Sequence, residues 1–247
     1  MATLYIVGTP IGNLEDISLR ALRILREVDF ILCEDTRVTK TLLNKYQINT
    51  PSISYHQHSD ARKQQYILSL LAQGKNLALV SDAGTPGISD PGGKLVKAVL
   101  EEFGEDVKIE AVPGPSAVTA ALSISGLPTD KFVFMGFPPH KKGRQSFLRK
   151  IALSEYPVVV YESRHRIIKF LEELKNLHKI IKIGQDKKAT GGGAAKKINF
   201  DSIVVCREIS KLHETVYRGS LDSVIKKIKD NQDHQRGEFV IIIGKAK

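Results

Sequence analysis

The chain has no tryptophan, two cysteines, two methionines, and aromatic residues at only 6% of its 247 positions. Cys33 and Cys206 lie far apart, each in an apolar run (DFILCED and SIVVCRE), which argues against a disulfide scaffold and a zinc cluster. They read as buried free thiols in a reducing compartment. No run approaches the roughly 18 consecutive apolar residues of a membrane-spanning helix, and MATLYIVGTP has neither a basic n-region nor a cleavage site. A soluble, cytoplasmic protein without membrane contact is expected. At 42% hydrophobic and 26% charged residues the chain is neither disordered nor fibrous. It is long enough to bury one large core or two of ordinary size.

Acidic residues are scarce in one half only. Residues 1–130 carry 12 Lys plus Arg against 15 Asp plus Glu, net −3, whereas residues 131–247 carry 25 against 12, net +13. A surface of that sign attracts polyanions by counterion release, so RNA, DNA or anionic lipid are natural partners of the second half.

In the first half, short β-rich runs alternate with helical periodicity. TLYIV (Thr3–Val7) reads as a buried strand; Ile17, Ala21, Leu25 and Val28 then share one face of a helix with Asp16 or Ser18 as N-cap. Strands follow at Phe30–Cys33, Ser52–Tyr55, Leu77–Val80 and Val107–Val112, with helices near Ala61–Gln73, Gly93–Phe103 and Ala117–Ser125. This alternation predicts a mostly parallel sheet covered on both faces. The turn-rich GLPTD (Gly126–Asp130) coincides with the change of charge, which suggests an N-terminal α/β domain over 1–129 and a basic C-terminal one over 130–247. The second domain repeats the pattern with more antiparallel pairing expected: FVFMGF, a helix from Arg144, PVVVYES, a helix from Arg166, SIVVCRE, TVYRG, a helix from Leu221 and EFVIIIG. The stretch 184–197, GQDKKATGGGAAKK, has almost nothing to bury and reads as a mobile loop.

Ligands of open α/β sheets bind beyond the carboxyl ends of the strands. The loops there are GTPIGNLED (Gly8–Asp16), EDTR (Glu34–Arg37), SDAGTPGISDPGG (Ser81–Gly93) and PGPSA (Pro113–Ala117), all suited to a polar small molecule. No G-x-G-x-x-G follows the first strand and no G-x-x-x-x-G-K-[ST] occurs, so neither a dinucleotide fold of the usual kind nor a P-loop is supported. His56 and His58 lack further ligands at metal spacing, and no metal is expected. In the basic half, Lys141, Lys142 and Arg144 of PPHKKGRQSFLRK, Arg164 and Arg166 of YESRHR, and Arg207 of REISKLHE are candidates for phosphate contact; a solvated face is the alternative.

Taken in order, GTPIGN, EDTR, SDAGTPGISDPG, VPGPSA, FMGFPP, YESRHR, REISKLHE and GEFVIIIG resemble the tetrapyrrole methylase superfamily along almost the whole chain. Within it they resemble the bacterial branch that methylates a cytidine ribose 2′-hydroxyl in the decoding region of small-subunit ribosomal RNA. The resemblance implies two α/β domains of the class III methyltransferase type, S-adenosylmethionine in the interdomain cleft, and a homodimer acting on the RNA or the assembled subunit. It carries Pro10, Gly84, Thr85, Ile88, Ser116 and Ala117 over as cofactor contacts, with Asp82 as a polar partner beside them. Phe137 and Tyr161 match positions where the second domain closes over the cofactor. Glu34, Asp35 and Arg37, with Arg207, Lys211 and Glu214, match motifs of the RNA-modifying branch. A ribose hydroxyl is a weak nucleophile, so Glu34, Asp35, Lys211 and Glu214 are unranked candidates for the assisting group. The chain departs from the family at Arg164, where Pro is usual, and in the 184–197 excursion. Two rivals remain: a methylase of a tetrapyrrole or other small substrate, and a non-catalytic RNA-binding assembly factor.

Overall fold

The computed structural model describes residues 1–56, 61–90, 92–184 and 202–244. His58 and the 184–197 loop from residue 185 onward lie outside the described residues. The chain divides into two compact units, Met1–Ser116 and Ala117–Lys247.

In the first unit, β1 (Thr3–Val7), β2 (Phe30–Cys33), β3 (Ser52–Ser54), β4 (Leu77–Leu79) and β5 (Lys108–Val112) form one sheet in the order β3-β2-β4-β1-β5. All of its neighbours pair in parallel, as the alternation predicted. The connections are α1 (Leu19–Glu27), α2 (Thr36–Lys45), α3 (Ala61–Ala72) and α4 (Gly92–Phe103). Ser18, not Asp16, is the N-cap of α1, its Oγ accepting the Ala21 N–H at 3.1 Å. The two-residue period of the strands divides the core. Val7, Ile31, Cys33, Ala78 and Val80 face α1 and α2, whereas Leu4, Leu32, Leu77 and Leu79 face α3 and α4. Both faces are apolar because both are covered, each fully buried Leu or Ile contributing about 1.5–3 kcal/mol. EDTR, read from the sequence as a loop, contains the start of α2: Asp35 is the N-cap, its Oδ1 accepting the Arg37 N–H at 2.9 Å.

In the second unit, β6 (Val133–Phe134), β7 (Val158–Ser163), β8 (Ile203–Arg207), β9 (Thr215–Gly219) and β10 (Glu238–Ile243) are ordered β6-β7-β10-β8-β9. Only β6 and β7 pair in parallel, and the other neighbours are antiparallel. α6 (Arg144–Leu153), α7 (Ile167–Gly184) and α8 (Leu221–Lys229) cover one face with Leu148, Ile151, Phe170, Leu174, Val224 and Ile228. α5 (Ala117–Ser125) lies against β10 and therefore belongs to this unit, so the division falls ahead of GLPTD. This unit carries 25 Lys plus Arg against 13 Asp plus Glu, net +12. Both cysteines are free and buried. Among the described residues no helix is long and apolar enough to cross a membrane, and no group of three or more His, Cys, Asp or Glu could hold a metal ion.

Candidate functional site

In the first unit the chain leaves β1 toward the β2 edge and leaves β4 toward the β5 edge, and right-handed crossovers send these connections to opposite faces. β1 and β4 are neighbours, so their carboxyl ends form the topological switch point, the place where such sheets bind ligands.

The loops at that point are tied to one another. Thr9 donates its N–H to Gly84 O at 2.9 Å and accepts the Gly84 N–H at 3.2 Å, a two-bond bridge from the loop after β1 to the loop after β4. The buried Thr9 hydroxyl donates to Ser81 O at 3.0 Å, and the Thr85 hydroxyl donates to Pro115 O at 3.3 Å in the loop after β5. Gly84 has φ 87°, where a side chain is strained, and a Cβ there would stand 3.4 Å from Ile11 and 3.5 Å from Pro115 O. Gly8 and Gly114 approach so closely that a Cβ on Gly114 would lie 2.7 Å from Gly8 O. Asp90 closes the long loop by accepting the N–H groups of Gly87 at 2.6 Å and Gly92 at 2.8 Å. Sequence reasoning missed Asp90, although an Asp before Pro-Gly-Gly is a turn signal.

Of the expected cofactor contacts in this unit, Pro10 is buried, Gly84 and Thr85 hold the loops together, and Asp82 and Ile88 are exposed, Ile88 to 48%. Asp82 Oδ1 accepts the Asp35 N–H at 3.0 Å, joining the loops after β2 and β4. Ser116 ends the fourth loop, and Ala117 opens α5 in the second unit.

The acidic candidates separate by environment. Asp35 is tied to Arg37, with Oδ2 to Nη2 at 2.6 Å, and this partner holds its carboxyl down at about 2. Glu34 sits at the carboxyl end of β2, half-buried. Burial first, and then the like charges of Asp90 and Asp82, push its carboxyl above the ordinary range.

In the second unit the Tyr161 ring packs edge-on against Phe134 at 4.9 Å between centroids and tilted against Phe137 at 5.3 Å. Burial pushes the Tyr161 phenol up to about 12, with the Val118 backbone as its hydrogen-bonding partner. Phe137 is half exposed, at 51%.

Three expected phosphate contacts are corrected here. Arg144 is 5% exposed and its guanidinium binds Glu173 and the Pro139 carbonyl. Arg166 binds Glu162 and the Pro138 carbonyl. Arg207 is buried and donates to the carbonyls of Arg236, His213 and Asp233 at 2.7–2.9 Å. All three guanidiniums satisfy internal acceptors that would otherwise be orphaned. Lys141, Lys142, Arg164 and Arg37 are exposed, Arg37 while paired to Asp35.

Lys211 bridges Glu208 at 3.1 Å and Glu238 at 2.8 Å. Burial opposes its charge, but these partners outweigh burial and hold its pKa above the usual lysine value, so it stays protonated. Glu214 Oε2 accepts the Ser210 N–H at 2.6 Å.

Comparison with known proteins agrees with this architecture. A family model of Tetrapyrrole (Corrin/Porphyrin) Methylases matches residues 3–225. Ribosomal RNA small subunit methyltransferase I of Synechocystis sp. is 42% identical over 247 residues, spanning all of this chain and 80% of that protein. The protein of the same name from Thermotoga maritima is 40% identical over 243 residues, 98% of each chain. Among solved structures, a cobalt precorrin-4 methyltransferase of cobalamin biosynthesis superposes with TM-score 0.66 at 18% identity, over 98% of this chain and 94% of that one. The uroporphyrin-III-C-methyltransferase of Thermus thermophilus gives 0.62 at 16%, over 99% and 94%. These structural likenesses speak for the fold. With a family match over most of its length and full-length relatives at about 40% identity, the chain belongs to the tetrapyrrole methylase family.

Proposed function

We propose that this protein transfers a methyl group from S-adenosylmethionine to the 2′-hydroxyl of a cytidine ribose in the decoding region of small-subunit ribosomal RNA, acting in the cytoplasm as a homodimer. The observation that carries the reading is the set of linked glycine-rich loops at the β1/β4 switch point, in a chain whose relatives are named for methylating that RNA.

S-adenosylmethionine is the cofactor of this family's methyltransferases. When bound, it supplies a methyl group already activated on a sulfonium, leaving to the protein alignment, exclusion of water and a route for the proton. The residues present fit it. Glu34, Asp82 and Asp90 give the loop edge the negative potential that favours a cation, and exposed Ile88 offers apolar surface. Pro10, Asp82, Gly84, Thr85, Ile88 and Ser116 are the contacts we assign in the first unit, and Ala117, Phe137 and Tyr161 those in the second.

Among the acid–base candidates we assign Glu34 the proton of the ribose hydroxyl. Asp35 is too weak a base beside Arg37, Lys211 is protonated, and Glu214 is engaged by the Ser210 N–H. Glu34 has a carboxyl raised by burial and by the charges of Asp90 and Asp82, and it stands at the carboxyl end of β2 beside the linked loops.

Methyl-labelled cofactor, incubated with small ribosomal subunits and with their RNA, is expected to label RNA in a form resistant to alkaline cleavage at one cytidine. Label in a porphyrinoid and never in RNA would overturn the reading in favour of a small-substrate methylase. Calorimetry without binding at millimolar cofactor would favour an assembly factor.

Exposed cations of the second unit are the proposed grip on RNA. Changing Lys141, Lys142 and Arg164 together to Ala is expected to weaken RNA binding and to flatten its log–log salt dependence by about 2, at roughly 0.7 per phosphate contact. An unchanged slope would remove this stretch from the interface.

A further inference from the structure

We propose that Glu162 is a positioning residue that sets the Gly136–Pro139 loop, and with it the exposed ring of Phe137, through the two arginines that face it inside the second unit. Arg166 of YESRHR and Arg144 of PPHKKGR, both expected to meet phosphate, are turned inward instead.

Glu162 lies on β7, opposite Phe239 of β10, with its side chain fully buried. Its Oε1 meets Arg166 Nε at 2.9 Å and accepts the Ser163 N–H at 2.8 Å. Its Oε2, without a hydrogen-bond partner among the described residues, faces Arg144 Nη2 at 4.0 Å. Glu173 of α7 completes the set, accepting from Arg144 Nε at 2.7 Å. Two carboxylates and two guanidiniums thus neutralise one another in the interior, as buried charge requires.

Each guanidinium also sends its Nη1 to the same segment. Arg166 Nη1 donates to Pro138 O at 3.1 Å and Arg144 Nη1 to Pro139 O at 2.9 Å. Two consecutive prolines have no N–H, so the Pro138–Pro139 pair can be held through its backbone only at its carbonyls. On its other side the loop is fixed by the Gly136 carbonyl, which accepts the Tyr161 N–H at 3.0 Å. Tyr161 precedes Glu162, so one strand carries both the ring against which Phe137 packs and the carboxylate that orients the clamp. Phe137 is left half exposed on an anchored backbone, an arrangement suited to presenting a rigid apolar face.

The test uses the absence of tryptophan: Phe137→Trp places the only indole of the chain on this loop. In that background Glu162→Gln is expected to raise the acrylamide quenching constant about twofold or more and to lower the fluorescence anisotropy, because a neutral amide no longer orients the arginines. Arg166→Met, which keeps the stem and removes the donors, is expected to do the same, and decides the matter alone should the Gln variant fail to fold. Leu174→Ala, a core truncation on the same helix outside the clamp, is expected to melt earlier with quenching unchanged. The cofactor arm rests on the functional reading above: with Phe137 in place, Glu162→Gln is expected to weaken S-adenosylmethionine binding in calorimetry about fivefold, with kcat at saturating cofactor within about twofold. Quenching that stays constant in both clamp variants, or that Leu174→Ala shifts equally, overturns the proposal. Failure to methylate RNA would overturn the functional reading and leave the fluorescence result standing.

Discussion

Replacing Glu34 by Gln is expected to slow methyl transfer at saturating cofactor and RNA by about 10²-fold or more, while cofactor affinity stays within about twofold. The amide keeps the shape of the carboxyl and cannot accept the ribose proton. The pH dependence provides a second signature. Burial and the neighbouring Asp90 and Asp82 raise this carboxyl, so the wild-type rate is expected to climb with pH through a value above the usual glutamate range, and the variant to lose that limb. Stability has the opposite sign. A carboxyl raised in the folded state favours folding fully below its ordinary pKa of about 4.3, and that contribution is lost as pH rises through the raised value. Glu34→Gln, neutral throughout, is therefore expected to melt no lower than wild type at pH 8, as when an active-site group is held at a cost to stability. A rate loss under threefold, or one that only tracks cofactor affinity, would strike Glu34 from the mechanism.

Gly114→Ala is expected to have the largest effect among single-methyl changes in the first unit. Its Cβ would stand 2.7 Å from Gly8 O, 2.8 Å from Gly8 C and 2.9 Å from Gly8 Cα. These are backbone atoms at the end of β1, where Gly8 also donates to Val112 O at 3.1 Å, so neither loop can yield without breaking its own hydrogen bonds. Overpacking of this kind costs about 1–3 kcal/mol, which at roughly 4 °C per kcal/mol lowers the melting point by about 4–12 °C. Because Gly8 directly precedes Thr9 of the Thr9–Gly84 bridge, cofactor affinity is expected to fall at least tenfold, a loss of about 1.4 kcal/mol or more. Gly93→Ala is the control: nothing lies within 4 Å of a Cβ there, and in the first turn of α4 the change is expected to be neutral or stabilising by up to about 1 kcal/mol. Calorimetry of the two variants decides it, and wild-type cofactor binding by Gly114→Ala would separate these loops from the cofactor.

Much of the architecture was legible because it is periodic. Val7, Ile31 and Val80 alternate with Leu4, Leu32 and Leu79 along their strands, and that alternation with intervening helices specified a parallel sheet covered on both faces. The loops after β1, β2, β4 and β5 stood out by their Gly, Pro and Asp content, and the structure ties them together where the chain reverses direction. Helix α2 was missed because Asp35 and Thr36 read as turn residues, and the same side chain that makes a turn also makes an N-cap.

Charge was legible only in bulk. The sequence by itself determined the surplus of Lys and Arg in the second half, the strand–helix alternation apart from α2, and the polar loops at the strand ends. It could not sort Lys141 and Lys142, which stay in solvent, from Arg144, Arg166 and Arg207, which turn inward. An arginine is buried only where an acceptor elsewhere compensates its lost hydration, and those acceptors are Glu173, Glu162 and a set of loop carbonyls brought near by the fold alone. The same holds for Glu34, whose raised carboxyl depends on Asp82 and Asp90 of a distant loop. Local periodicity is written residue by residue, whereas the protonation and exposure of a charge belong to whatever the tertiary structure places beside it.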